Sequence, residues 1–340
     1  MNKVRLYWLD VVRIQACFLV CIVHAPIPTG NSDIFLSGFN YLASPCNALF
    51  FMLSGALLFP INNSSIKSWI GKRFLRIGVP VLFWSLISIG ILYISGKLSA
   101  DQIISKILLI PCAPAHGVYW FLYVILGLYV MALFLSPTIV QSNYCKLYLI
   151  LWGVSLFCPY FNAVEASFWD CEGSYYRMLS PFGGFMGYML LGYYLRYNVN
   201  TTKRTSLWCM ICIFLAVIFP FVFYGGRFHG IQNGNIYDNL TINTAAMAII
   251  YFLLIKCSFV RFNSKTSRIQ SILCEISKKT FGIYLIHILV MRELLWPLWN
   301  RLSLELGYAI QIPCVAIMTF LISYLIIKLV SYIPGSRYII

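Results

Sequence analysis

The sequence predicts an all-α polytopic membrane protein, a bundle of about ten transmembrane helices with both termini cytoplasmic. Three observations carry this reading. Hydrophobic residues are 60% of the 340-residue chain, charged residues only 10%, and mean hydropathy is +0.80. A soluble domain carries roughly 25% charged residues, so there is too little charge here to coat a surface facing water. The apolar residues also gather into runs of about the 20 residues that a spanning helix needs. Such runs are too long for barrel strands, and lipid cannot satisfy an exposed backbone. The same figures exclude a disordered chain, which needs low hydrophobicity, and a disulfide-rich secreted module.

The candidate spans, in order, cover roughly residues 8–25, 43–61, 78–95, 118–136, 145–161, 181–197, 206–224, 239–255, 280–298 and 308–330. The first contains Arg13. The ninth is interrupted by Arg292 and Glu293 after an uncharged run from Thr280 to Met291. No internal repeat, low-complexity tract or long linker divides the chain, so residues 1–340 are expected to form one integral-membrane domain. Lys3 and Arg5 precede an apolar stretch as in a signal peptide, but Asp10 and Arg13 interrupt it and Pro26 follows without a convincing cleavage site. The stretch is therefore expected to be a retained first span.

Charge supports the topology. The chain has 25 Lys and Arg against 10 Asp and Glu, a formal net charge of +15. In a membrane protein this excess is expected in cytoplasmic loops rather than on nucleic acid. With ten spans and both termini inside, 18 of the 25 basic residues fall in inner segments and six (Lys97, Lys106, Arg177, Arg227, Arg292 and Arg301) in outer ones, with Arg13 in the first span. The 12 cysteines show no paired metal-ligand spacing. Most, such as Cys17, Cys21, Cys209, Cys212, Cys257 and Cys314, sit in apolar runs as small core residues. Cys112, Cys158 and Cys171 are expected on the outer side. No metal is expected.

Ionisable side chains are costly in lipid and usually mark a pathway or a site. The first span carries Asp10, Arg13 and His24. Eleven residues separate Arg13 from His24, close to three turns, which puts them on nearly one face about 16 Å apart along the axis. Asp10, three residues before Arg13, can pair with it. Histidine suits removal of a hydroxyl proton near neutral pH, and arginine grips phosphate or carboxylate bidentately. A long anionic donor with its reactive end far from its phosphates could touch both. The bland alternative is a structural ion pair with a hydrogen-bonded histidine, and the cost of charge in lipid favours function.

Other polar positions are weighed the same way. Lys72-Arg73-Phe74-Leu75-Arg76 lies in the loop from Lys67 to Arg76, where an anchor at the membrane surface competes with a phosphate site. His116 precedes Val118-Tyr119-Trp120-Phe121 at the outer start of the fourth span, either in an aromatic belt or at an acceptor site. His287, within Tyr284-Leu285-Ile286-His287, is a functional or polar-core residue, and His229 is a loop residue. The many aromatics are mostly belts and packing, and those outside also suit sugar stacking.

With these residues in place, the sequence resembles the acyltransferase-3 family, integral-membrane O-acyltransferases of surface polysaccharides and other envelope sugars. The resemblance runs over nearly the whole chain. Its most specific part is the pair Arg13 and His24, with Leu9-Asp10-Val11-Val12-Arg13. Phe50-Phe51-Met52-Leu53-Ser54-Gly55, Arg73-x-x-Arg76, Trp120-Phe121-Leu122, Leu191-Gly192-Tyr193-Tyr194 and the run from Thr280 to His287 add to it. The resemblance implies a ten-helix fold, an acyl-CoA donor (acetyl-CoA or another) entering from the cytoplasm, and an acceptor at or beyond the outer face. It also implies essential roles for Arg13 and His24 and donor binding by Arg73 and Arg76. Many members carry an extra helix and a fused soluble domain, neither of which is expected in a chain ending at Ile340.

Residues and resemblance converge on one expectation. Lys72, Arg73 and Arg76 hold the donor's phosphates, and its thioester end lies along the face bearing Arg13. Asp10 steadies Arg13. His24 deprotonates a sugar hydroxyl or transiently takes the acyl group, and His116, Trp120 and His287 border the acceptor. The expected acceptor is an envelope glycan or a lipid-linked sugar, in the cytoplasmic (inner) membrane of a bacterium, with membrane lipid around the protein and no nucleic-acid partner. The rival is a transporter of polysaccharide intermediates, which would also use buried Arg and His. Paired halves with matching broken segments, a common transporter sign, are not evident. A scaffold would leave the charges of the first span unexplained.

Overall fold

The computed structural model describes residues 5–27, 34–61, 65–139, 142–156, 180–202, 204–205, 208–212, 215, 239–259, 268–302 and 306–340. Among them the regular structure is helical, with no strand. The helices are α1 Tyr7–His24, α2 Ile34–Ala43, α3 Cys46–Leu58, α4 Ile66–Ile94, α5 Ala100–Leu109, α6 Trp120–Ile139, α7 Ser142–Ser155 and α8 Met186–Tyr197. They continue with α9 Ile242–Phe259, α10 Arg268–Leu289, a π-helical turn Val290–Leu295, α11 Trp296–Arg301 and α12 Tyr308–Val330. Seven stretches are long and apolar enough to cross a membrane: Tyr7–His24, Ile34–Leu58, Ile66–Ile94, Gly117–Ser136, Ile242–Phe259, Arg268–Arg301 and Tyr308–Val330. Large apolar side chains such as Phe134 and Leu329 stand exposed on these helices, at 73% and 68% of their full accessible area. In water such a surface would aggregate, and in lipid it is solvated.

The described helices differ from the expected spans in several places. Residues Lys67–Arg76 are not a loop. They form the first turns of α4, a 29-residue helix opened by Ser65, whose side chain accepts from the Ser68 N–H at 3.4 Å. Long basic side chains can leave the apolar zone while their backbone stays helical, so charge there does not end the helix. The ninth span likewise begins twelve residues earlier, at Arg268, and runs through Arg292 and Glu293 to Arg301. In the stretches expected at 145–161 and 181–197 the described helices are α7, of 14 residues, and α8, of 12, with residues 157–161 outside the described residues. Most of the stretch expected at 206–224 lies outside the described residues, as do Pro28, Cys158, Cys171 and His229.

The chain divides into two compact units, each assembled from separated segments. The first comprises residues 1–60, 137–277 and 306–316. Here α3 packs against α1, α8 and α9. The closest approach is between α3 and α8: a Cβ on Gly55 would meet the Met189 carbonyl oxygen at 1.8 Å, and one on Gly192 would meet that of Met52 at 1.9 Å. Glycines placed reciprocally let two helix backbones touch, the usual way helices associate without a hydrophobic drive between them. Two cations close helix ends in the same unit. Arg196 donates to the Ala56 carbonyl in the last turn of α3. Lys256, from α9, donates to the carbonyls of Leu195 (2.8 Å), Arg196 (2.9 Å) and Val199 (2.7 Å) at the end of α8. Carbonyls at a helix C-terminus lack intrahelical partners and carry partial negative charge, so both cations satisfy groups that lipid could not.

The second unit comprises residues 61–136, 278–305 and 317–340. Two tyrosines join the start of α6 to α10: the Tyr119 hydroxyl donates to the Leu285 carbonyl at 2.7 Å, and the Tyr284 hydroxyl donates to the Val118 carbonyl. Trp84 donates its indole N–H to the Ile339 carbonyl at 2.8 Å, tying α4 to the C-terminal turn. Lys97 and Glu293 form an ion pair with contacts of 2.7 and 2.8 Å.

Overfilling the glycine contact should be costly. Gly192→Val is expected to lower stability by at least the roughly 1–3 kcal/mol typical of overpacking, read as a lower thermal midpoint and reduced monodisperse yield in detergent. Gly127→Val on α6, where a Cβ would meet nothing within 4 Å, is the control that should leave both unchanged.

Candidate active site

Helix α1 runs without a break from Tyr7 to His24. The eleven-residue interval between Arg13 and His24 therefore corresponds to a rotation of about 20° and a rise of about 16 Å, and both residues lie on nearly one face. His24 is the last helical residue, partly exposed, and the helix stops there before Pro26. Arg13 is also partly exposed. Between them on the same side of the helix lie Cys17 and Val20, both buried, while Gln15 and Ile22 on the opposite side are partly exposed.

Asp10 is buried, and its neighbours differ from those expected. Its carboxylate is gripped bidentately by Arg5, with Nε to Oδ2 and Nη2 to Oδ1 both at 2.8 Å. The pairing with Arg13 is present but longer, 3.8 Å from Nη1 to Oδ1. A serine from α10 fills the interval: Ser277 Oγ donates to Asp10 Oδ1 at 2.6 Å and accepts from Arg13 Nη1 at 3.2 Å. All four residues belong to the first unit. Asp10 also strengthens the hold of Arg5 on its proton, raising its pKa above the ordinary arginine value, chiefly through their hydrogen bond.

The other expected site residues belong to the second unit. On α4, Arg76 lies four residues after Lys72 and three after Arg73, so it neighbours both on the surface of that helix. Lys72 and Arg76 are exposed. Arg73 lies over the Trp69 indole, 4.9 Å from its centroid, and Trp69 in turn meets Tyr129 edge-on at 6.2 Å. Stacking of this kind holds a guanidinium by its face and leaves its donor edge directed outward.

His116 precedes the 3₁₀ turn Gly117–Tyr119, its ring 6.3 Å from that of Tyr119. Trp120 opens α6 edge-on to Phe121, and Phe121 lies 5.7 Å from Tyr284. His287 is fully buried, one turn beyond Tyr284, with Nδ1 2.5 Å from the Tyr284 carbonyl. A carbonyl can only accept, so Nδ1 carries the hydrogen. The structure thus joins His116, Trp120 and His287 through Tyr119, Phe121 and Tyr284. Within the first unit it places Asp10 and Arg13 together with Arg5 and Ser277. Among the described residues, no group of three or more His, Cys, Asp or Glu side chains is arranged to hold a metal ion.

Arg5 and Ser277 are the residues that sequence reading missed. Arg5 counts there only as one of the basic residues before the first span. Ser277 stands 267 positions from Asp10, and no spacing rule links a serine to a carboxylate at that distance.

A family model described as an acyltransferase domain matches residues 6–328. No curated protein and no solved structure matches the chain.

Two outcomes test the electrostatics. Asp10→Ala would leave two cations around a buried vacancy. Because the Arg5 and Arg13 side chains keep 40% and 28% of their area exposed, the loss is expected to be about 1–3 kcal/mol, seen as a lower thermal midpoint. The second concerns His116. Burial first, then Arg292, lower its pKa below the ordinary 6.5, with Glu293 opposing. Because the folded value is the lower one, the unfolded chain takes up this proton first on acidification. The associated stability is present above about pH 6.5 and is lost as pH falls towards the folded value. His116→Gln should therefore reduce the loss of thermal midpoint between about pH 7.5 and about pH 5.5.

Proposed function

The chain belongs to the acyltransferase family whose domain covers residues 6–328, and on that footing we propose that it moves an acyl group from cytoplasmic acyl-CoA to a hydroxyl of a cell-envelope sugar. Membership favours bond-making over the transporter reading. The observation that supports the site most directly is the presence of Arg13 and His24 on nearly one face of an unbroken helix, neither of them sealed in the core.

In this reading Lys72, Arg73 and Arg76 bind the donor's phosphates. Arg13 supplies a further cation for the anionic donor. His24 acts as general base: it takes the proton of the acceptor hydroxyl as the oxygen attacks the thioester carbonyl. The carbon–sulfur bond then breaks, and the proton passes to the departing thiolate, leaving an ester and free CoA. A transient acyl group on the imidazole would split the same exchange into two steps. Acetyl is the preferred acyl group. His116 and Trp120 border the acceptor, an envelope glycan or lipid-linked sugar, while His287 supports them through Tyr284. The protein sits in the inner membrane of a bacterium as a bundle of about ten spans, with both termini and the basic end of α4 on the cytoplasmic side, as the distribution of basic residues favours.

The test is acyl transfer by the purified protein, supplied with acetyl-CoA and an envelope glycan fraction and followed by mass analysis of the glycan. His24→Ala should abolish the mass increment while membrane abundance stays normal, and normal acylation by that variant would defeat the assignment. The double variant Arg73→Ala with Arg76→Ala should chiefly raise the KM for acyl-CoA, by about tenfold or more if two charge-assisted contacts are lost.

A further inference from the structure

Three charges and one hydroxyl meet where α1 and α10 come together in the first unit, and their arrangement is unequal. Asp10 accepts both prongs of Arg5 at 2.8 Å, whereas Arg13 approaches the carboxylate only to 3.8 Å. Ser277, 2% exposed, occupies the interval. Its one hydroxyl hydrogen goes to Asp10 at 2.6 Å, and its oxygen accepts from Arg13 at 3.2 Å.

Two consequences follow from this geometry. The carboxylate's charge is taken up mainly by Arg5, so the cluster of two guanidiniums and one carboxylate keeps a net positive charge. An arginine paired bidentately to its own carboxylate would offer a ligand little net charge. At Arg13 the hydroxyl, polarised by the carboxylate behind it, makes the shorter contact and the carboxylate itself stays at 3.8 Å, which helps to fix the guanidinium while the ion pair remains long. A hydrogen bond to a charged group contributes more than one between neutral groups, so the contact is strong enough to hold a long, rotamer-rich side chain in place.

We infer that Ser277 is a positioning residue for Arg13, relaying Asp10 so that the guanidinium is fixed yet still cationic towards an anionic acyl donor. This rests on the function proposed above. Arg5 has the complementary task of occupying Asp10. Ser277 touches no reacting atom and acts only through Arg13.

Steady-state kinetics with acetyl-CoA and the glycan acceptor, each varied in turn, test the inference. Ser277→Ala should raise the KM for acetyl-CoA about tenfold, the size of one charge-assisted hydrogen bond, with kcat and the acceptor KM within about threefold of wild type. Ser277→Thr, which keeps the hydroxyl, should restore the donor KM. In an Arg13→Gln background, Ser277→Ala should add no further loss, because residues acting through one group are not additive. An unchanged donor KM in Ser277→Ala overturns the inference. So does an equal loss in every parameter that Ser277→Thr does not rescue, and so does additivity with Arg13→Gln. If the wild-type protein turns over no acyl-CoA, the functional reading falls and the inference falls with it. Wild-type turnover with an unaffected Ser277→Ala removes the inference alone.

Discussion

A single buried carboxylate organises the opening helix. Charge inside an apolar environment is tolerated only when it is paired and fully hydrogen-bonded, and Asp10 meets that condition through Arg5 and Ser277. The contact to Ser277 ties α1 to α10, and the contact to Arg5 fixes the chain just before α1 begins. Arg13 is placed as a by-product of satisfying Asp10. The residues that stabilise the helix and one of those proposed to act in chemistry, Arg13, therefore form one network, and a change in either would be felt by both.

The two units solve the same problem by different means. In the first, glycines bring α3 and α8 into backbone contact, and Arg196 and Lys256 satisfy the carbonyls at helix ends. In the second, tyrosine hydroxyls do the joining, with Tyr119 and Tyr284 each donating to a carbonyl of the opposite helix. Both devices place a donor on a backbone acceptor that lipid would leave unsatisfied. The three described histidines differ in setting: His24 is partly exposed at a helix end, His116 is half-covered with its affinity for a proton lowered by burial, and His287 is sealed within its own helix.

Much of this was legible in the sequence. Runs of apolar residues located the long helices, because hydropathy reports directly on the medium around a span, and the eleven-residue interval placed Arg13 and His24 on nearly one side because α1 is regular. The beginnings of α4 and α10 were less legible. Lys67, Lys72, Arg73 and Arg76 looked like an interruption, although the spacing of Lys72 and Arg76 already fits a helix face. A count of apolar residues sees where lipid begins and not where the hydrogen-bonded backbone begins. Arg5 and Ser277 were illegible for another reason: their partner is fixed by the tertiary packing of α1 on α10, and local pattern holds no record of it. Asp10 was singled out for its place in a costly environment, but whether it served Arg13 or Arg5 depended on distances alone.

The glycine contact between α3 and α8 has a mechanical consequence. With carbonyl oxygens of each helix lying where the other's side chains would begin, neither helix can slide past its neighbour by even one residue's rise of about 1.5 Å without a backbone collision. The pair therefore moves as a single strut. Motion within that unit has to come from helices joined by side chains, whose rotamers can yield.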